Sequence, residues 1–321
     1  MSTFDFSGLT PVLILDAIES QGILVESGLL ALNSYENRVY QFVAEDKKRY
    51  VAKFYRPQRW SQAQIQEEHD FSIELASQGI PAVAPLIFNK QSLHFYNDYC
   101  FALFPSVGGR QFEVDNLNQV ECMGRSIGRI HEIAKRTNFI HRPAINVIDY
   151  LVTPLQELQN SSLIPSGLQQ SFFTILQQVV DLASSLYGNT HNIRLHGDCH
   201  PGNILWSDGP TFVDLDDCRS GPAIQDLWMM LSGDKQQQYV QMDKLVGAYE
   251  EFCDFDTTQL ILIEPLRAMR MVHYMAWLAK RWQDPAFPQA FPWFADEKYW
   301  EQQILGLKEQ CSALQEPPLT L

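Results

Sequence analysis

The 321-residue chain has a formal net charge of −14, with 45% hydrophobic and 12% aromatic residues. That is enough apolar material for a sizeable core, and the acidic balance excludes non-specific gripping of nucleic-acid phosphates. The six cysteines (Cys100, Cys122, Cys199, Cys218, Cys253 and Cys311) form no C-x-x-C pair, so they read as reduced thiols of a cytosolic protein.

The first residues carry early acids and no basic start, which predicts no signal peptide. No run of about 18 apolar residues predicts a membrane span. Residues 11–22 read as a short amphipathic helix. Alternating, β-favouring sequence predicts antiparallel strands near 23–33, 37–44 and 49–55, with a turn at Glu45–Lys48. Ser61 reads as the N-cap of a helix ending near Gly79. "VAPLIFNKQS" and "YCFALFPSVGG" supply two more strands. After the break at 105–110, helical spacing covers 117–136, 166–187, 236–253, 257–282 and 296–315. The expected fold class is α+β: a small antiparallel β lobe with one helix over residues 1–105, and a larger, mainly helical lobe over 106–321.

An island of strand-like sequence interrupts the helices and follows "RLHGDCHPGN" (194–203). Asn203–Trp206 and Thr211–Leu215 read as strands around a Ser207-Asp208-Gly209-Pro210 turn. A four-residue loop would pair 206 with 211 and 203 with 214, so Asn203 would face Asp214 on one side of the hairpin. Their oxygens are hard ligands that suit Mg²⁺, which is held by a few protein oxygens together with phosphate and water. Asp198 stands five residues before Asn203. This D-x-x-x-x-N spacing ahead of a metal-binding hairpin is similar to the catalytic loop of kinases, where the aspartate takes the proton of the acceptor hydroxyl. A zinc cage is the weaker reading, because His196, Cys199 and His200 lie too close together to face one point. His196 reads as a buried histidine bracing the loop.

"HGDCHPGN" followed by "FVDLDD" resembles the aminoglycoside phosphotransferase and choline kinase branch of the protein-kinase-like fold. With "LNSYENRVYQF", "VAKFYRP", "FPSVGGRQFE", "QDLWMML" and "IEPLRAMRMVHYMAWLAKRW", it resembles the bacterial stress-response serine/threonine kinases of that branch. The resemblance implies Asp198 as catalytic base, Asn203 and Asp214 as magnesium ligands with Asp214 also in the catalytic set, and "NSYENRVY" as the loop over the ATP phosphates. Ser34 would then sit near the nucleotide. Lys53 occupies the strand position of the V-A-I-K lysine and would neutralise the α- and β-phosphates. Its anionic tether is Glu67 or Glu68, and helical phase favours Glu68. The 105–110 stretch reads as the hinge, with Phe104 and Ser106 beside adenine. Asp226 is placed to brace the catalytic loop through backbone N–H groups, although an ordinary helix-start acid reads almost as well. Asp216 and Asp217 read as solvated acids or as one accessory metal group. Cys199 and Cys218 read as inert buried thiols.

Gly197 replaces the arginine of protein kinases, and eleven residues separate Asp214 from Asp226. That leaves no room for a long activation loop and suggests competence without loop phosphorylation. Glu264, Arg267, Arg270 and His273 form a stripe that faces either an acceptor cleft or an internal ion network. Met271, Met275 and Trp277 read as core. The expected function is ATP- and Mg²⁺-dependent phosphorylation of protein serine or threonine, including autophosphorylation, in a stress response. The alternative is a small-molecule hydroxyl kinase of choline, homoserine or aminoglycoside type. The expected partners are ATP and protein substrates, with no nucleic acid and no membrane, for a cytoplasmic monomer.

Overall fold

The structure, a computed structural model, describes residues 6–188 and 190–321. Part of the segment weighed as a signal peptide, residues 1–5, lies outside the described residues. Thr10 accepts the N–H of Leu13 and Pro11 takes the first helical position, which fixes the start of α1 (Pro11–Glu19). Strands β1 (Leu30–Ala31), β2 (Arg38–Val43) and β3 (Arg49–Phe54) follow, then α2 (Gln62–Ser77), opened by a capping box between Ser61 and Gln64. Strands β4 (His94–Tyr96) and β5 (Tyr99–Pro105) complete an antiparallel sheet of order β1-β2-β3-β5-β4.

Two of the expected strands change. The segment 23–33 pairs only at Leu30–Ala31 and at a lone Val25–Ala44 bridge. Its side chains are mostly exposed, so little burial rewards a longer ladder. The stretch 83–92 forms no strand beyond a Phe88–Gln91 bridge. Pro85 offers no ladder donor, while Asn89 and Lys90, at φ +51° and +67°, turn the chain so that the strand forms later, at β4.

The larger part opens with β6 (Arg110–Gln111) and α3 (Leu117–Ala134). It continues through a π-helical turn at Ile148–Val152 into α4 (Thr153–Gln159) and α5 (Gln169–Leu186). Short strands β7 (Ile193–Leu195), β8 (Ile204–Trp206), β9 (Pro210–Phe212) and β10 (Arg219–Gly221) come next. They are followed by α6 (Ile224–Trp228), α7 (Lys235–Tyr249), α8 (Ile263–Arg281), α9 (Ala286–Ala290) and α10 (Glu297–Ala313). The expected helix over 257–282 divides into a 3₁₀ turn, Thr257–Leu262, and α8. Pro265 cannot donate to the carbonyl four residues back, so the α ladder begins just before it.

One core lies between α1 and the five-stranded sheet. A second fills the helical part and takes in Phe71 and Leu75 of α2, so that helix is anchored on both sides of the groove between the parts. Among the described residues, no helix is long and apolar enough to cross a membrane.

Candidate active site

Strand β7 delivers the loop that begins at His196. Gly197 has φ +82°, and a Cβ there would stand 2.3 Å from the Asp217 carbonyl oxygen. The close approach of the Asp217 backbone therefore requires glycine at this position. Asp226, at the start of α6, accepts the N–H of His196 at 2.8 Å and of Gly197 at 2.9 Å, and meets His131 Nε2 at 3.1 Å. The bracing role is thus built, and Asp226 is not an ordinary solvated helix-start acid. His196 is buried and donates from Nε2 to the Val213 carbonyl at 3.0 Å, tying the loop to the strand that leads to Asp214.

Asp198 projects from this loop into the groove. Its Oδ1 pairs with Arg270 of α8, and its Oδ2 lies 3.3 Å from His200 Nε2. Burial alone would raise its pKa, but the His200 hydrogen bond and the Arg270 charge outweigh it and hold the carboxyl well below the usual range. Asn203 donates its amide N–H to the Asp198 backbone carbonyl at 3.0 Å and to the carboxylate at 3.5 Å. No hydrogen bond to the Asn203 amide oxygen from another described residue is present.

The hairpin register differs from expectation by one residue. Ile204 faces Phe212, Leu205 faces Thr211 and Trp206 faces Pro210, so the loop has three residues and Asn203 lies in a 3₁₀ turn. The Val213 N–H, not a group of Asp214, reaches the Asn203 carbonyl at 3.0 Å. A one-residue slip should turn Asp214 to the other face. Asp214 instead leaves the strand at φ +59°, ψ +61°, a left-handed conformation that aspartate tolerates better than most residues. Its carboxylate stays at the groove, where its Oδ1 meets Lys53 Nζ at 3.1 Å.

Lys53 is buried on β3. Its Nζ is 3.1 Å from Asp214, 3.1 Å from Asp216 and 3.6 Å from Glu68. Burial works against the ammonium, yet Asp216, Glu68 and Asp214 together hold its pKa well above the usual value. The same burial raises Glu68 to about 7, against the opposing charge of Lys53. The choice between the two glutamates resolves in favour of Glu68. Glu67 turns the other way and accepts the backbone N–H groups of Ile140, His141 and Arg142 at 2.6–2.9 Å.

Asp216 is not a solvated acid. It is buried between Lys53 and Arg59, whose Nη1 approaches to 2.6 Å, and it accepts from Asn37 at 3.2 Å. Asp217 pairs with Arg59 and Arg219, each at 2.9 Å. Cys199 and Cys218 are buried, and burial pushes both thiols up in pKa, which makes them poor nucleophiles.

Two compartments adjoin along the groove. The first, about 300 Å³, is lined by Val39, Val51, Lys53, Glu68, Phe104 and Leu215 among others. The second, about 470 Å³, is lined by Asp198, Asp217, Arg270, His273, Tyr274 and Trp277 among others. Ser34, Asn203 and Asp214 line both and mark their junction. Ser34 donates its hydroxyl to the Asn37 carbonyl at 3.3 Å, closing the 33–37 loop on itself. At the hinge, Phe104 lines the first compartment, whereas the Ser106 hydroxyl is taken by Gln41 at 2.6 Å, away from it.

The α8 stripe divides by position. Arg267 pairs with Glu264 at 3.4 Å, His273 packs against Tyr150 with ring centroids 4.8 Å apart and planes tilted by 31°, and Arg270 reaches Asp198. Met275 is core, but Met271 and Trp277 are only half-buried. Trp277 faces the second compartment and donates Nε1–H to Glu36 at 2.6 Å.

Several partners escape a reading of the sequence. Arg142 bridges Glu68 at 3.0 Å and the Asp216 carbonyl at 2.7 Å. Glu36, in the loop after Ser34, is held by Arg56 at 3.1 Å and Arg281 at 2.7 Å. Asp284 takes Arg56 at 2.5 Å. The sequence signal was slight: "FYRPQRW" places two arginines directly after an apolar strand, where unpaired charge would be costly.

A model of the phosphotransferase enzyme family matches residues 29–263. Stress response kinase A of Escherichia coli O157:H7 is 53% identical over 321 residues, covering all of this chain and 98% of that protein. The serine/threonine protein kinase RdoA of Salmonella typhimurium (strain LT2) is 52% identical with the same coverage. Among solved structures, amicoumacin kinase hAmiN in complex with AMP-PNP, Ca²⁺ and Ami superposes with a TM-score of 0.71 at 18% identity, over 94% of this chain and 93% of that one. A spectinomycin phosphotransferase bound to ADP and spectinomycin gives 0.68 at 12%, over 95% and 98%. These two share the α+β, protein-kinase-like bilobal fold.

Proposed function

The chain belongs to the phosphotransferase enzyme family, and on that footing we propose that it transfers the γ-phosphoryl group of ATP to serine and threonine hydroxyls of proteins, itself included, with Mg²⁺ as the metal. The observation that carries this reading is the junction of the two compartments. Lys53 with its carboxylate partners stands on one side, Asp198 on the other, and Asn203 and Asp214 lie between.

In this reading ATP occupies the smaller compartment, with its adenine between the apolar side chains and the backbone of the Phe104 strand. Lys53, held by Glu68, neutralises the inner phosphates, and the Ser34 loop covers the outer ones. Asn203 offers an amide oxygen, and Asp214 a carboxylate that is 58% exposed. These are two hard oxygen donors of the kind Mg²⁺ takes alongside phosphate and water, so the residues fit the ion. When bound, the ion would neutralise charge on the phosphate oxygens. Asp198 orients the acceptor hydroxyl and receives its proton as the oxygen attacks phosphorus and the bond to ADP breaks. His196 and Asp226 hold the backbone of the loop that carries Asp198 in place.

The protein acceptor is supported by the relatives at 52–53% identity that carry kinase names over the full chain. The test is γ-labelled ATP offered with the protein alone, with serine/threonine protein substrates, and with a panel of amino alcohols and aminoglycosides. Label on protein hydroxyls supports the reading. Efficient labelling of a small hydroxyl compound with none on protein replaces it with the small-molecule alternative.

A further inference from the structure

The second compartment holds three arginines, but they are not equivalent. The Arg59 side chain, 17% exposed, is fixed by Asp216 and Asp217. Arg219, 9% exposed, is fixed by the Asp217 carboxylate and carbonyl. The Arg270 side chain is 42% exposed, and its one carboxylate partner among the described residues is Asp198. The cleft acids are likewise committed. Glu36 is held by Arg56, Arg281 and Trp277, Asp216 and Asp217 by the locked arginines, and Asp214, 58% exposed, by the buried Lys53 at 3.1 Å. The guanidinium left mobile in this compartment is therefore that of Arg270, on Asp198.

That pair sits on the oxygen a substrate hydroxyl needs. Oδ2 of Asp198 already faces His200 and Asn203, and Oδ1 faces Arg270. An acceptor hydroxyl approaching Oδ1 meets the guanidinium there. Arg270 is long and half in solvent, so it can swing away, but a guanidinium drawn off a carboxylate seeks another anion. A cationic acceptor would supply no anion for the displaced Arg270.

We infer that Arg270 selects the acceptor, leaving Asp198 for an anionic group that the substrate carries beside its reactive hydroxyl, so that the preferred substrate is a serine or threonine with an acidic neighbour. This inference rests on the proposed phosphoryl transfer at Asp198 and names the acceptor class of that site. Arg270 acts here as a specificity-determining residue. The proton still goes from the hydroxyl to Asp198, and the phosphoryl group from ATP to the hydroxyl oxygen. No further reactant is required.

The test uses matched serine peptides that differ only in Glu or Gln at positions flanking the acceptor. The full-length wild type is compared with Arg270→Gln and Arg270→Lys, and ATP affinity serves as the check that each variant is folded. The expected result is a kcat/KM at least about fivefold higher for a Glu peptide in the wild type, expressed mainly in KM. The preference falls within about twofold in Arg270→Gln and is partly restored in Arg270→Lys. A wild type indifferent to Glu against Gln, or an Arg270→Gln enzyme that keeps the full preference, overturns the inference. If no peptide or protein is labelled but small molecules are, the protein-acceptor reading fails by itself. The inference is then decided by hydroxy acids against amino alcohols: faster turnover of the acids, lost in Arg270→Gln, sustains it, and faster turnover of the amines overturns it.

Discussion

Asp226 accepts the backbone N–H of His196 at 2.8 Å, thirty residues earlier in the chain, and with its second oxygen the N–H of Gly197 at 2.9 Å. A buried carboxylate thereby fixes the two residues that precede Asp198. Asp226→Ala leaves two buried N–H donors and His131 without this acceptor. The expected result is a loss of about 2–4 kcal/mol in chemical denaturation, together with a fall in phosphoryl transfer. An unchanged denaturation midpoint would mean that the loop is held by other contacts.

Glu67 and Glu68 are neighbours with separate tasks. Glu68→Gln weakens the hold on Lys53 and Arg142, so turnover should drop at least about tenfold. Glu67→Gln turns one of the two oxygens that accept from the backbone N–H groups at 140–142 into a donor and should cost about 1 kcal/mol of stability, with turnover within about threefold of wild type. Parallel measurements of turnover and thermal midpoint separate the two. An exchange of the two phenotypes would contradict the placement of Glu68 on Lys53.

Removal of divalent cations by chelation should abolish transfer, and added Mg²⁺ should restore it. Asn203→Ala should raise the Mg²⁺ concentration needed for half-maximal turnover by about tenfold or more. An unchanged Mg²⁺ titration in that variant would show that the Asn203 amide takes no part in holding the ion.

His69 is buried between the Tyr55 hydroxyl at 2.7 Å and the Ser92 hydroxyl at 2.9 Å. Burial, reinforced by Lys53 and Arg142, lowers its pKa to about 3. Below about pH 6.5 the unfolded chain binds a proton that the folded chain refuses, so this histidine's contribution to stability shrinks as pH falls from 6.5 towards 3. His69→Gln keeps a donor and an acceptor but does not titrate. The stability advantage of the wild type over the variant, measured by denaturation at pH 7 and pH 4.5, should therefore diminish or reverse at the lower pH. A pH-independent difference would contradict the buried neutral imidazole.

Asp198, Asn203 and Asp214 were legible because their chemistry is concentrated in one short motif and the hairpin after it. The register was not. Ser207-Asp208-Gly209-Pro210 suits a four-residue loop, but Pro210 opens β9 opposite Trp206 and shortens the loop to three. The left-handed turn at Asp214 that compensates has no sequence signal beyond the tolerance of aspartate for it. Long helices such as α3 and α5 followed from their periodicity, whereas α6 and α9, at five residues each, are too short to show one. Arg142 and Asp284 were missed because their partners lie 74 to 246 positions away, and only the fold joins them; Arg270 stood in the α8 stripe, but its pairing with Asp198, 72 positions earlier, was not legible.

The most direct measurement is single-turnover transfer from γ-labelled ATP by Asp198→Asn, with ATP affinity determined on the same preparation. ATP binding should stay within about threefold of wild type, because Asp198 lines the second compartment and not the first, while turnover should fall at least about 100-fold. Transfer at the wild-type rate would contradict Asp198 as the group that takes the hydroxyl proton.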